Sequence, residues 1–160
     1  MNKVAIIGAG PCGITAIKNF SDHGFEVTAF ERCQGVGGYW RVNDPSGQSS
    51  VFETTHIISS KYTSYYEDYP LPENAADYPS HKDLLEYFNN YTDHFDIRKL
   101  IKFGTEVQHC KQIESDKWEI TWKELESDQV RTDIYDALVV CNGHHPVSYT
   151  HLTLPTKRIV

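Results

Sequence analysis

The sequence predicts an α/β fold: a parallel sheet built on a β-α-β unit, with a small antiparallel β insertion. Three observations predict it. A short, continuous, mostly β-branched run at residues 4–7 (Val-Ala-Ile-Ile) reads as a buried parallel strand. The turn Gly8-Ala9-Gly10-Pro11-Cys12-Gly13 follows it at once and opens a helical pattern. Farther on, Trp118, Ile120 and Trp122 alternate with polar residues, as in a half-exposed antiparallel strand.

The elements follow in order. Residues 12–22 read as a helix with Ile14, Ile17 and Phe20 on its inner face. Pro11 suits the first helical turn, and Gly24 suits the stop. Residues 27–30 form the second strand, which completes a β-α-β unit of about 30 residues. Residues 34–50 are rich in Gly, Ser, Asn and Asp and read as loop. An irregular stretch at 51–78 holds Tyr62, Tyr65, Tyr66 and Tyr69, punctuated by Pro70 and Pro72. Ser80 is the expected cap of a second helix, whose apolar stripe is Leu84, Phe88, Tyr91 and Phe95. Residues 101–107 are a candidate strand. Residues 130–133 are a candidate hairpin partner for the Trp118 strand. Residues 137–141 are expected to form another continuous buried strand, ending in Asn142-Gly143.

Composition excludes several functions. The 160 residues carry a formal net charge of −7, from 22 acidic and 15 basic side chains. Such a surface disfavours nucleic acid and anionic membrane, and leaves any anion to local groups. Cys12, Cys33, Cys110 and Cys141 are scattered without a C-x-x-C pair, so no zinc knuckle or local redox dithiol is expected. Cys12 and Cys33 read as buried small side chains. Free thiols, no signal peptide and no long apolar run point to the cytoplasm.

The glycine turn carries the chemistry. Gly8 permits the tight turn, Gly10 lets a pyrophosphate approach the backbone, and Gly13 lets the helix pack on the strands. The helix N-terminus offers free N–H groups and partial positive charge. Glu31, at the end of the second strand, can accept from both ribose hydroxyls of an adenosine and would repel a 2′-phosphate. The ligand is therefore FAD or NAD. The cluster Gly35-Val36-Gly37-Gly38-Tyr39-Trp40 favours FAD, whose greater length needs a second backbone cradle. Gly38, Tyr39 and Trp40 of this cluster join the candidate cofactor site. No catalytic and no metal-binding residue is assigned. His144 and His145 have no partner at ligand spacing. For the Tyr62–Tyr69 cluster two readings stand, a face toward the flavin ring or packing under a loop.

In these segments the chain resembles the flavin-containing monooxygenases, within the two-dinucleotide-domain flavoproteins. The resemblance runs from about Val4 to His145 through GAGPCG, ERCQGVGGYWR, SSKYTSYYEDYPLP, YPSHKDLLEYFNNYTDHF and DALVVCNGHH. It implies a Rossmann-like FAD-binding domain. It implies that Gly8, Gly10, Gly13 and Glu31 hold the ADP half of FAD, that Gly38 and Trp40 lie along the cofactor, that Asn142-Gly143 pass close to it, and that Pro11, Cys12, Arg32 and Tyr39 are among the cofactor-binding residues. In the family NADPH reduces the flavin, and a soft N or S centre, or in relatives a ketone, is oxygenated. Molecular oxygen and a small-molecule substrate are then the partners. Two departures stand out. Ile58 occupies a position where many members have Asn, which raises an oxidase or reductase as the alternative. The family's NADPH-binding glycine motif is expected after His145, where this chain has none. Residues 147–156 read as a translated sequencing adapter, so the expected division is 1–146 as part of an FAD-binding domain, truncated, and 147–160 as a non-native tail. A disulfide reductase would need a C-x-x-C or C-x4-C pair. A plain NAD dehydrogenase would not need the second glycine cluster. An inactive FAD-binding fragment is a further alternative.

Overall fold

The computed structural model describes residues 2–45 and 51–143; His144, His145 and residues 147–160 lie outside them, as do residues 46–50 of the glycine-rich loop. Strands β1 (Lys3–Ile7), β2 (Glu26–Phe30), β3 (Ile101–Lys102) and β7 (Ala137–Val140) form a parallel sheet in the order β3-β2-β1-β7. Helix α1 (Pro11–Asp22) crosses from β1 to β2, and α2 (His81–His94) lies between β2 and β3. Strands β4 (Thr105–Ile113), β5 (Lys117–Glu124) and β6 (Val130–Tyr135) form the antiparallel insertion, in the order β4-β5-β6.

Side chains on β1 alternate between two cores because successive Cβ atoms point to opposite faces. Val4 and Ile6 pack with Ile14 and Ile17 of α1 and with Leu84, Tyr87, Phe88 and Tyr91 of α2. Ala5, between them, packs with Phe30, Ile120, Trp122 and Tyr135 on the insertion's side. Helices cover one face of the parallel sheet and the antiparallel sheet covers the other. The Trp122 ring sits 5.5 Å from that of Phe30, and its indole N–H donates to Asp133 at 2.8 Å. Trp118 packs partly buried against the same cluster.

Three expectations need correction. The candidate strand at 101–107 is two strands in different sheets. Gly104, at φ +61°, turns the chain between them, and a Cβ there would lie 2.8 Å from Gln34 Nε2. The 137–141 strand is not fully buried. Among the described residues β7 has a neighbour on one side only, and Val140 is 59% exposed. Cys12 is exposed while Cys33 is buried, because Cys12 stands on the outer side of the first turn of α1.

The two helices begin differently. Ser80 caps α2: its hydroxyl accepts from the Asp83 amide, and the Asp83 carboxylate accepts from the Ser80 amide at 2.8 Å. Ser80→Ala should cost about 1 kcal/mol in chemical unfolding. The Ser80 hydroxyl and then its amide hold the Asp83 carboxyl below its ordinary value. A lowered folded value means stability that is present above the ordinary aspartate range and fades as pH falls through the lowered one. The wild-type advantage over Ser80→Ala should therefore shrink in acid and stay constant near neutrality.

Candidate functional site

At the C-terminal ends of β1, β2 and β7 the chain opens into a cleft of about 1100 Å³. Eleven of the twelve residues singled out in the sequence line it: Gly8, Gly10, Pro11, Cys12, Glu31, Arg32, Gly38, Tyr39, Trp40, Asn142 and Gly143. Gly13 lies beneath, wedged against β1. A Cβ on it would sit 2.0 Å from the Gly8 carbonyl oxygen. Gly8 itself has φ +95°, and a Cβ there would meet the Cys141 carbonyl oxygen at 2.5 Å. These two glycines let α1 and β7 close on β1.

Gly10 differs from both. A Cβ on it would meet only Gly38, with Cα at 3.6 Å. The two glycine clusters are thus in backbone contact, tied further by the Gly37 amide donating to the Ala9 carbonyl at 3.0 Å. Gly10 is the N-cap of α1 and supplies no capping side chain, and the first turn has no acidic residue. The first helical amide to find a backbone acceptor is Ile14, bonded to Gly10 O at 3.0 Å. The amides of Cys12 and Gly13 precede it and have no acceptor within the helix. Where α2 satisfies its own N-terminus, α1 presents its N-terminus to the cleft. That is the arrangement an anionic group requires.

Glu31 is 4% exposed yet lines the cleft. Its Oε2 accepts from the Ala9 amide at 2.6 Å and its Oε1 from the Cys33 amide at 2.8 Å. Each carboxylate oxygen has a second lone pair, so the group is held rigidly and can still accept two hydroxyls. Arg32 is half-exposed and pairs with Glu106 of β4 at 3.5 Å. The Tyr39 and Trp40 rings stack on each other with centroids 5.3 Å apart. Burial pushes the Cys110 and Cys141 thiols up, so both are protonated at neutral pH.

Sequence reasoning missed one wall of the cleft. Thr105 to Cys110 of β4 line it, around a register shift between Val107 and His109. The shift is a β-bulge, with Gln108 the extra residue between the pairs Val107–Trp122 and His109–Thr121. Only tertiary pairing reveals it. The tyrosine cluster divides. Tyr66 and Tyr69 join the aromatic core with Tyr87 and Tyr91, Tyr66 also lining the cleft, while Tyr62 and Tyr65 are exposed. Ile58 is fully exposed and does not line the cleft, although Ile57 and Ser59 do. Among the described residues no group of three or more His, Cys, Asp or Glu side chains could hold a metal, and no helix is long and apolar enough to cross a membrane.

The geometry has close counterparts. The N-oxide-forming dimethylaniline monooxygenase 2 of Oryctolagus cuniculus is 36% identical over 149 residues, covering 89% of this chain and 28% of the relative. Flavin-containing monooxygenase 2 of Homo sapiens shows the same identity and coverage. The chain thus spans 28% of the length of these relatives. Among solved structures, the S-allyl-L-cysteine S-oxygenase of Allium sativum superposes with a TM-score of 0.81 at 26% identity, over 89% of this chain and 36% of that one. The OTEMO complex with FAD and NADP superposes at 0.71 and 25% identity, over 89% of this chain and 25% of that one. The family model described as flavin-binding monooxygenase-like matches residues 1–157. With glycine turn, acid and second glycine cluster gathered at one cleft, the chain belongs to the flavin-binding monooxygenase-like family.

Proposed function

We propose that this chain holds FAD in the cleft, as the N-terminal part of an FAD- and NADPH-dependent monooxygenase acting on a small N-, S- or ketone-containing substrate. The observation that carries the reading is the uncapped N-terminus of α1 facing the same cleft as the Glu31 carboxylate. The residues fit the ADP half of a dinucleotide. Gly8, Gly10, Pro11 and Cys12 shape the phosphate seat over the buried Gly13, and the Cys12 amide donates to it. Glu31 accepts from the ribose, with Arg32 beside it at the rim. Gly38, Tyr39 and Trp40 flank the cofactor on one side, and Asn142 and Gly143 on the other. Bound flavin supplies the hydride and oxygen chemistry; the chain orients it and screens it from water. NADPH would bind to parts of the enzyme beyond these residues, so residues 1–146 serve as part of the FAD-binding domain.

The test is a titration of the purified chain with FAD, followed by visible absorbance and competition. ADP should displace FAD. The 2′-phosphorylated analogue should do so more weakly, by about tenfold or more, because its phosphate meets the fixed Glu31 carboxylate. A chain that takes up no flavin and ignores ADP would sink the proposal. A second reading, an FAD-dependent NAD(P)H oxidase, is favoured by Ile58, an exposed apolar side chain where many family members have Asn. An enzyme containing this segment that consumes NADPH and oxygen without oxygenating amine, sulfide or ketone would support it.

A further inference from the structure

One half-buried hydroxyl bonds to the backbone of the phosphate seat. Tyr66 Oη donates to the Pro11 carbonyl at 2.8 Å. The Pro11 carbonyl and the Cys12 N–H belong to one peptide unit, and peptide resonance couples the two ends. A donor on the oxygen draws electron density from the nitrogen, so the N–H becomes a stronger donor. That N–H is one of the two α1 amides with no acceptor in the helix. Thr15 Oγ1 also approaches Pro11 O at 3.3 Å, but its shorter bond, 2.9 Å, goes to Cys12 O.

Tyr66 is held for this task. Its ring is 4.6 Å from that of Tyr91 and 5.6 Å from that of Tyr87. Its backbone amide donates to Tyr87 Oη at 2.8 Å, and Tyr87 Oη donates onward to the Tyr69 carbonyl. Helix α2 therefore fixes the loop, and the loop fixes the first turn of α1. Burial pushes the Tyr66 hydroxyl above its ordinary value, so it stays a donor across the working pH range.

We infer that Tyr66 is a positioning residue for the phosphate seat, strengthening the Cys12 amide through the Pro11–Cys12 peptide. The inference rests on the proposed dinucleotide reading of the cleft. Its test is Tyr66→Phe in the 160-residue chain, which keeps the ring and removes the hydroxyl. Without any ligand, the Cys12 amide proton should move upfield in the NMR spectrum while distant amides stay in place. ADP affinity should fall about threefold to tenfold. Adenosine, which lacks phosphates, should bind both forms equally. A merely structural role would weaken ADP and adenosine alike, and that result overturns the inference, as does an unmoved Cys12 amide. Incorporating 3-fluorotyrosine at position 66, a stronger donor of nearly the same size, should tighten ADP; no change or weakening also overturns it. If wild-type chain binds neither FAD nor ADP, the dinucleotide reading fails and this inference falls with it. If wild-type binds both and Tyr66→Phe matches it, only this inference fails.

Discussion

Gly13→Ala is expected to cost the chain about 3 kcal/mol or more, a large share of the stability of an ordinary domain. The added Cβ would lie 2.0 Å from the Gly8 oxygen and 2.8 Å from the Gly8 carbonyl carbon. Both are backbone atoms, so no rotamer change relieves the contact. Helix α1 has to lift from β1, and Ile14 and Ile17, both fully buried, lose their seats against Val4 and Ile6. Alanine's helix propensity gains only about 1 kcal/mol over glycine, so the clash wins. Urea unfolding followed by circular dichroism reads the loss; a midpoint equal to wild type would refute the packing argument. Gly10→Ala is the matching control. Its Cβ meets nothing closer than 3.6 Å, so the fold should survive while ADP binding is lost. Within one six-residue turn, Gly13 should answer to stability and Gly10 to ADP.

Glu31→Ala should have the second largest effect, on stability and binding together. The carboxylate is the acceptor for two buried backbone amides, those of Ala9 and Cys33. Removing it takes the carboxylate acceptor away from both amides, at a cost of about 2–4 kcal/mol. The Ala9 amide lies inside the glycine turn, so the turn loosens as well and ADP affinity falls. Glu31→Gln separates the contributions. Its amide oxygen can keep one bond, but its NH₂ must face an N–H, so about half the stability loss remains. It also removes the negative charge, so discrimination against a 2′-phosphate should collapse. Unfolding midpoints and paired titrations with ADP and its 2′-phosphorylated analogue measure both. Retained discrimination in Glu31→Gln would assign the selectivity to another group.

Much of this was legible in the chain because the signals are local. Pro11 and Gly24 punctuate α1, the Ser80–Asp83 pair opens α2, and the alternation of Trp118, Ile120 and Trp122 marks β5. The glycine spacing and Glu31 located the cleft for the same reason: strand, turn and acid are a short-range pattern. What stayed hidden depends on residues far apart in sequence. Tyr87 belongs to the buried face of α2 and its hydroxyl serves a loop 21 residues upstream, which no helical stripe announces. The break at Gly104 separates two sheets whose partners lie elsewhere in the chain. The bulge in β4 exists only once β5 pairs with it.

By itself, the order of residues determined an α/β chain with a glycine-rich strand-to-helix turn and an acid at the end of the second strand. Backbone geometry and side-chain period act over a few residues, so these could be read directly. The tertiary structure decided the rest. It placed the second glycine cluster on the first through Gly38 and Gly10, brought β4 in as the far wall, and set the Tyr66 hydroxyl on the Pro11 carbonyl. Those contacts span from 28 to about 100 residues of chain, and only packing around the two cores on either side of β1 brings them within bonding distance.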